Sequence, residues 1–323
     1  MGLIESSKVY SGQELENIFF RPAFTGESAE KLGIRVLYNM PVPTTVYMWN
    51  SGGNILKPYK AGWDGDTSTT RSSKALDMKK IKAETAFSAA DYFSMVFEQL
   101  ANNPAIDMQD LSGSVLEEAE TELFKASIAE SLRLTTWVGD TDKPGSYDTF
   151  DGILKSAVAA AKGSAANQYK ITAAVTSSNV ISVFENVWKA ANNELKALKG
   201  DGQLAFFVTS DICEAYEAYL DSKGVDSAYR ESTEGRQNLC YHGIPVIDMG
   251  IGSVLADTSL PQTICLLTDR RNLVLAVNTA DYPATEVRMW YNPDAMENRQ
   301  RAVFLAAADI IDNNLTVLGY KEA

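Results

Sequence analysis

The sequence predicts a mixed α+β protein, with its long helices early and most of its strands late. One long stretch, from Ser112 to Trp137, repeats apolar residues at helical spacing. After Leu204, short apolar blocks bounded by turn residues recur as strands do. Between them lies neither an internal repeat nor a phosphate-binding glycine loop.

Residues 1–43 are loosely organised. Apolar groups ("ENIFF", "IRVLYNM") are separated by "RPAFTGESAEK" and end at "MPVP", a pattern that suits an arm lying on another surface. Residues 46–88 place aromatics around Gly52-Gly53, then the polar run "DGDTSTTRSS", then "ALDMKKIKAETAF", which reads as a strand. Strand, polar tip and strand over this length describe a long hairpin. A two-stranded hairpin cannot bury its own rings. Tyr47, Trp49, Tyr59 and Trp63, with Phe19, Phe20, Lys60 and Arg71, are therefore expected at a contact with another chain.

"AADYFSMVFEQL" (89–100) reads as a short helix broken by "ANNPAIDMQD". In the long helix over 112–137, Leu116, Ala119, Leu123 and Ala126, with Phe124, Ile128 and Leu132, form the apolar stripe. Acidic residues crowd its start and Arg133 comes late, the polarity a helix dipole favours. "ILKSAVAAAKGSAANQYK" is rich in small residues and reads as a weak helix at a boundary. A second strong helix, capped near Ser177 or Ser178, carries Val180, Val183, Phe184, Val187, Trp188, Ala191, Leu195 and Leu198 on one face and stops at Gly200. Strands are expected at 204–209, 243–249, 263–269, 272–279, 286–292 and 301–311. A helix over 211–221 opens on Asp211, with Glu214 in a capping-box spacing.

Composition narrows the function. The chain has 323 residues, of which 45% are hydrophobic and 22% charged, enough for a substantial core. The formal net charge of −13 disfavours tight nucleic-acid binding, which needs a surplus of cations. No membrane span and no secretory signal is expected. Met1-Gly2 lacks the polybasic support of a lipid anchor. Three cysteines without a CxxC pair argue against a disulfide framework or thiolate zinc site, and one histidine excludes multi-histidine metal sites.

Two chemical alternatives remain. Asp140, Asp142, Gly145, Asp148 and Asp151 fall at positions 1, 3, 6, 9 and 12 of a calcium loop, but Pro144 stands where an oxygen ligand belongs, and Asp151 replaces the bidentate glutamate. Side-chain oxygens satisfying amides in turns and at helix starts explain three of these aspartates locally, so a hinge after the long helix is the preferred reading. Cys240 and His242, two apart at a strand entrance, suggest a nucleophile without an oriented third partner. Neither cofactor nor catalytic residue is expected.

The order of segments resembles the major capsid proteins of tailed phages, of the Hong Kong 97 type. In that family a long helix ends in a G-D-G-x-x-x-P-x-G-I-L-like turn, and "LFKASIAESLRLTTWVGDTDKPGSYDTFDGILKSA" follows that plan. Gly139, Asp140, Pro144, Gly152, Ile153 and Leu154 match. The second glycine is Asp142 here, and several residues are inserted before Gly152. "AFFVTSDICEAYEAYLDSKG", "LCYHGIPVIDM" and "VRMWYNPDAMENRQRAVFLAAADII" follow in the family's order. The resemblance covers 85–323 by motif and 1–84 by layout.

The resemblance implies a division into arm (1–43), extended loop (44–86), peripheral domain with its spine helix (87–165), axial domain (166–285) and a return to the peripheral domain (286–323). It implies a non-enzymatic shell subunit that assembles into hexamers and pentamers around double-stranded DNA without gripping it, in a virion assembled in the host cytoplasm. Portal, scaffold and decoration proteins would be its partners, and an encapsulin-type compartment is the alternative. A separate scaffold protein, or none, is expected. Lys57, Lys60 and Lys74 have no matching motif toward Asn292 or Asn298, so the contacts are expected to be non-covalent.

Overall fold

A computed structural model describes residues 29, 31–40, 44–51, 58–62, 69–88, 115–145, 147–163, 166–223, 229–231, 237–278 and 288–322. The expected helix at 89–100, Phe19, Phe20 and Trp63 lie outside these residues, as does most of the expected arm.

The larger sheet has seven strands: β5 (Gln168–Lys170), β6 (Leu204–Val208), β7 (Tyr229–Glu231), β8 (Gln237–Tyr241), β9 (Ile244–Asp248), β10 (Ile264–Asp269) and β14 (Thr316–Tyr320). Their order is β5-β14-β10-β6-β9-β8-β7, parallel at β5/β14 and β6/β9 and antiparallel elsewhere. Its central strands are covered on both faces. Ala205 and Phe207 of β6 join one core, and Leu204, Phe206 and Val208 join another. Likewise Ile264 and Leu266 of β10 point one way, Cys265 and Leu267 the other. This two-sided burial is why "LAFFV" and "ICLL" are unbroken apolar runs rather than alternating ones.

One core is made with helices α3 (Val180–Ala190) and α5 (Ser210–Lys223). Phe184 sits at its centre, with the rings of Phe206, Tyr216 and Tyr241 each 5.1 Å away. The other core holds α1 (Val115–Val138) and α2 (Ile153–Gly163). The 24 residues of α1 make a rod of about 36 Å. Phe124, Ile128, Leu132, Leu134, Trp137 and Val138 are buried, and Trp137 meets Phe207 at 5.3 Å.

The second sheet is organised by β13 (Glu297–Ile310), the longest strand described. Along one edge it pairs with β12 (Arg288–Asn292) and then β11 (Leu273–Val277); along the other it pairs with β4 (Lys79–Phe87). β1 (Arg35–Leu37) extends this sheet parallel to β11. Even-numbered residues Asn298 to Phe304 are buried, while Arg301 and Val303 are exposed. A third, two-stranded ribbon is formed by β2 (Thr44–Ser51) and β3 (Thr69–Leu76).

Several expectations need correction. The hairpin's return strand is β3, "TTRSSKAL", which starts within the expected polar tip and ends in the first residues of the expected strand, and "KKIKAETAF" is a separate strand paired with β13. A ribbon without a second layer needs no apolar alternation, so β3 carries little strand signal. The helix expected to run to Gly200 breaks at Ala191. Asn192 Oδ1 accepts from the Leu195 amide and starts a short helix, α4 (Asn193–Ala197). The residue before α3 is Asn179, not a serine; its Oδ1 accepts from the Thr176 amide. Asp211 makes no capping box: its carboxylate accepts from the hydroxyls of Thr209 (2.5 Å) and Thr263 (2.6 Å). Ile153 and Leu154, at the start of α2, are fully buried.

The end of the chain also departs from expectation. After β13, β14 crosses into the seven-stranded sheet between β5 and β10. Asn272 stitches this crossing. Its amide donates to the Asp312 carbonyl (2.8 Å), Thr316 Oγ1 (3.1 Å) and Thr268 Oγ1 (3.2 Å), and its Oδ1 accepts from the Asp312 amide (2.8 Å). Buried at 6% exposure, it satisfies its hydrogen-bonding capacity where the two sheets meet.

Candidate assembly surface and spine turn

The β2–β3 ribbon is anchored at its root and exposed further out. Leu76 and Met78 are buried against Val274, Ala276 and Ala307, with Val46 packed beside them. Lys74 forms an ion pair with Asp309 at 2.8 Å and also donates to the Ile310 carbonyl. Toward the tip, Tyr47 is 70% exposed, Tyr59 is 97% exposed, and Lys60 is exposed. Trp49 and Arg71 are directly opposed in register. Five of the eight expected contact residues thus belong to the ribbon or its loop; Phe19, Phe20 and Trp63 lie outside the described residues, and only the backbone of Trp49 and Arg71 is described. Asn298 is fully buried.

At the end of α1 the chain turns back so closely that two positions admit only glycine. A Cβ on Gly139 would lie 2.1 Å from the Phe150 carbonyl oxygen, and one on Gly152 would lie 2.6 Å from the Gly139 nitrogen. The Gly152 amide donates to the Gly139 carbonyl at 2.8 Å, and the Gly139 amide to Thr135 at 2.9 Å. Pro144 lies exposed in the intervening loop.

The four aspartates divide. Lys155 Nζ sits between Asp140 (2.7 Å), Asp142 (2.7 Å) and Asp151 (2.8 Å), so an ammonium occupies the point on which three carboxylates converge. Asp148 instead accepts from the Gly145 amide at 3.2 Å. Asp140 and Asp151 also cap the amides of Asp142 and Thr141. Burial alone would raise these two carboxyls, but hydrogen bonds from Lys155 and the backbone hold both below the usual carboxylate range. Desolvation opposes the charge on Lys155, and its three carboxylate partners outweigh that and raise its pKa. Among the described residues, no group of three or more His, Cys, Asp and Glu is arranged to hold a metal.

Cys240 and His242 do not share a strand face. His242 and Gly243, at φ 50° and 82°, form the two-residue turn between β8 and β9, and His242 is exposed against the Tyr241 ring. That left-handed pair is the geometry a tight hairpin needs. Burial pushes the Cys213 thiol up to about 12 and raises Cys265 as well, away from nucleophilic thiolates.

Sequence reasoning missed Arg133. Its place late in the helix suits the dipole, yet its guanidinium is buried. It pairs with Glu130 through Nε (2.9 Å) and Nη2 (2.8 Å) and reaches the carbonyls of Met249 (2.9 Å) and Gly250 (3.2 Å). It fastens the spine helix to the loop after β9. The helical pattern gave no sign of this, because the partner carbonyls are 116 and 117 residues away.

The likeness of the chain to solved phage capsid chains shows an α+β fold of the Hong Kong 97 type. No protein-family model and no curated sequence matches the chain. Its fold is similar to the capsid of Myoviridae phage XM1 (10% identity, 98% of this chain and 100% of that one, TM-score 0.55). It is also similar to a chain of the satellite phage P4 procapsid (12%, 97% and 100%, 0.52). The encapsulin SrpI of Synechococcus elongatus shares it too (10%, 93% and 89%, 0.53).

Proposed function

We propose that this chain is the major structural subunit of a tailed-phage head, without catalytic activity. The observation that carries this reading is the end-to-end likeness: 98% of the chain aligns with all of a phage capsid chain. Copies assemble into hexamers and pentamers that close as an icosahedral shell around double-stranded DNA, in particles formed in the host cytoplasm. Portal, scaffold and decoration proteins are further partners. Arm (1–43) and extended loop (44–86) lie on neighbouring copies. The peripheral domain (87–165 and 286–323) surrounds the spine helix, and the axial domain (166–285) surrounds the shell's symmetry centres, with β14 crossing back into the axial sheet.

Mutual burial is the mechanism. Tyr47 and Tyr59 expose large rings that the isolated subunit leaves in water, so ordering them is coupled to assembly and depends on concentration. The net charge of −13 lets packed DNA slide rather than adhere. Electron microscopy of the purified protein tests the reading: closed particles are expected, and a monomer that persists at high concentration with and without scaffold would refute it. The encapsulin likeness supports a second reading, a compartment around protein cargo, which particles filled with an enzyme rather than DNA would establish.

A further inference from the structure

Five large apolar side chains are strongly exposed among the described residues. Tyr47 and Tyr59 belong to the ribbon and its loop, but Trp290, Met296 and Val303 lie on the β12–β13 hairpin. Register shows what accompanies them. Residues directly opposite in an antiparallel pair share a face. Trp290, Arg299 and Ala86 therefore form one row across β12, β13 and β4, and Arg288, Arg301 and Glu84 form the next. Val303 lies beside Lys82, and Leu305 beside Lys80. The opposite face of β13 is the buried one, against the spine-helix core.

This outward face is basic on an acidic chain. Lys80, Lys82, Arg288, Arg299 and Arg301 stand against Glu84 and Glu297, whereas the whole molecule carries −13. We propose that this face is a contact between copies of this chain, covered by an acidic surface of a second copy; this rests on the self-assembly reading above. The charge asymmetry makes the remainder of any second copy its natural complement. Interleaved arginine and tryptophan supply contact energy when desolvated. A phosphate backbone fits less well. Arg299 and Arg301 already hold Glu297 (3.3 Å) and Glu84 (3.1 Å), whose carboxylates would repel it, and Val303 and Met296 offer it nothing.

The test is a charge reversal, Arg299→Glu with Arg301→Glu, compared with Lys143→Glu with Lys162→Glu at exposed sites distant in sequence from this face. Sedimentation velocity and electron microscopy measure the lowest concentration at which particles form, across a salt series. The face variant is expected to raise that concentration by about tenfold, because complementary charge governs encounter and register; the distant pair should leave it unchanged. Should the reversal impair folding, seen by circular dichroism, Arg299→Gln with Arg301→Gln gives about a threefold rise, the weaker effect of losing charge rather than inverting it. Assembly of either folded face variant at the wild-type concentration and salt response overturns the proposal. So does salt-dependent binding of a single-stranded oligonucleotide at this face with assembly intact. If wild type forms no particles, the shell reading falls separately. Small oligomers that the face variant lacks then still support the contact, and a strictly monomeric wild type overturns both.

Discussion

Gly152→Ala tests the geometry of the spine turn most directly. The added methyl carbon would lie 2.6 Å from the Gly139 nitrogen, 2.7 Å from the Trp137 carbonyl oxygen and 2.8 Å from the Trp137 carbonyl carbon, all backbone atoms. Ordinary contact begins near about 3.5 Å, so relief needs a shift approaching 1 Å. Neither side can yield cheaply. Trp137 is 1% exposed, and Ile153 and Leu154 are at 0%. Forced displacement in a packed core costs about 1–3 kcal/mol. Losing the 2.8 Å bond from the Gly152 amide to Gly139, with its groups buried, adds about 1–3 kcal/mol. We expect a loss of about 3–5 kcal/mol, or a fall of roughly 5–10 °C in the melting midpoint of the unassembled subunit. Gly163→Ala, with nothing within 4 Å of its Cβ, is the internal control and should be neutral or slightly stabilising. Urea unfolding of both variants decides it. A Gly152→Ala subunit within 1 kcal/mol of wild type, by the scale of ordinary surface changes, would refute the close-approach argument.

Lys155→Met should destabilise by about 1–2 kcal/mol at pH 7, since its carboxylate partners are partly exposed. The depressed folded-state pKa of Asp140 and Asp151 adds stability that is complete above the unfolded value and lost as pH falls through the folded one. The variant's deficit, followed by unfolding across pH, should therefore narrow below about pH 4. Arg133→Met strands Glu130 and the carbonyls of Met249 and Gly250. Denaturant unfolding should show a loss of about 3–5 kcal/mol, with Arg133→Lys intermediate because an ammonium cannot reproduce the fork. Buried Cys265 should resist a thiol reagent at pH 8 in the native state and react only in denaturant, whereas half-buried Cys213 should react slowly because its thiol stays protonated. Rapid native labelling of Cys265, mapped by mass spectrometry, would contradict its burial.

The sequence alone determined the parts whose causes are local. The helical stripe of Phe124, Ile128 and Leu132 places the spine helix, and unbroken runs such as "LAFFV" and "ICLL" announce strands covered on both faces. The turn chemistry of residues 139–154 was legible as a redirection of the chain, because close backbone approach selects for glycine and turn amides for aspartate. Tertiary structure decided everything set by partners distant in the chain. β3 has no apolar alternation, so only pairing with β2 identifies it. β14 was invisible as the strand that crosses between sheets, and Asn272 as its stitch. Lys155 lies outside the 140–151 window, and only the fold of α2 carries its ammonium to the aspartates. The division has one physical origin: periodicity and turn preference act over a few residues, whereas the register of sheets and the pairing of buried charges are settled only when remote segments meet.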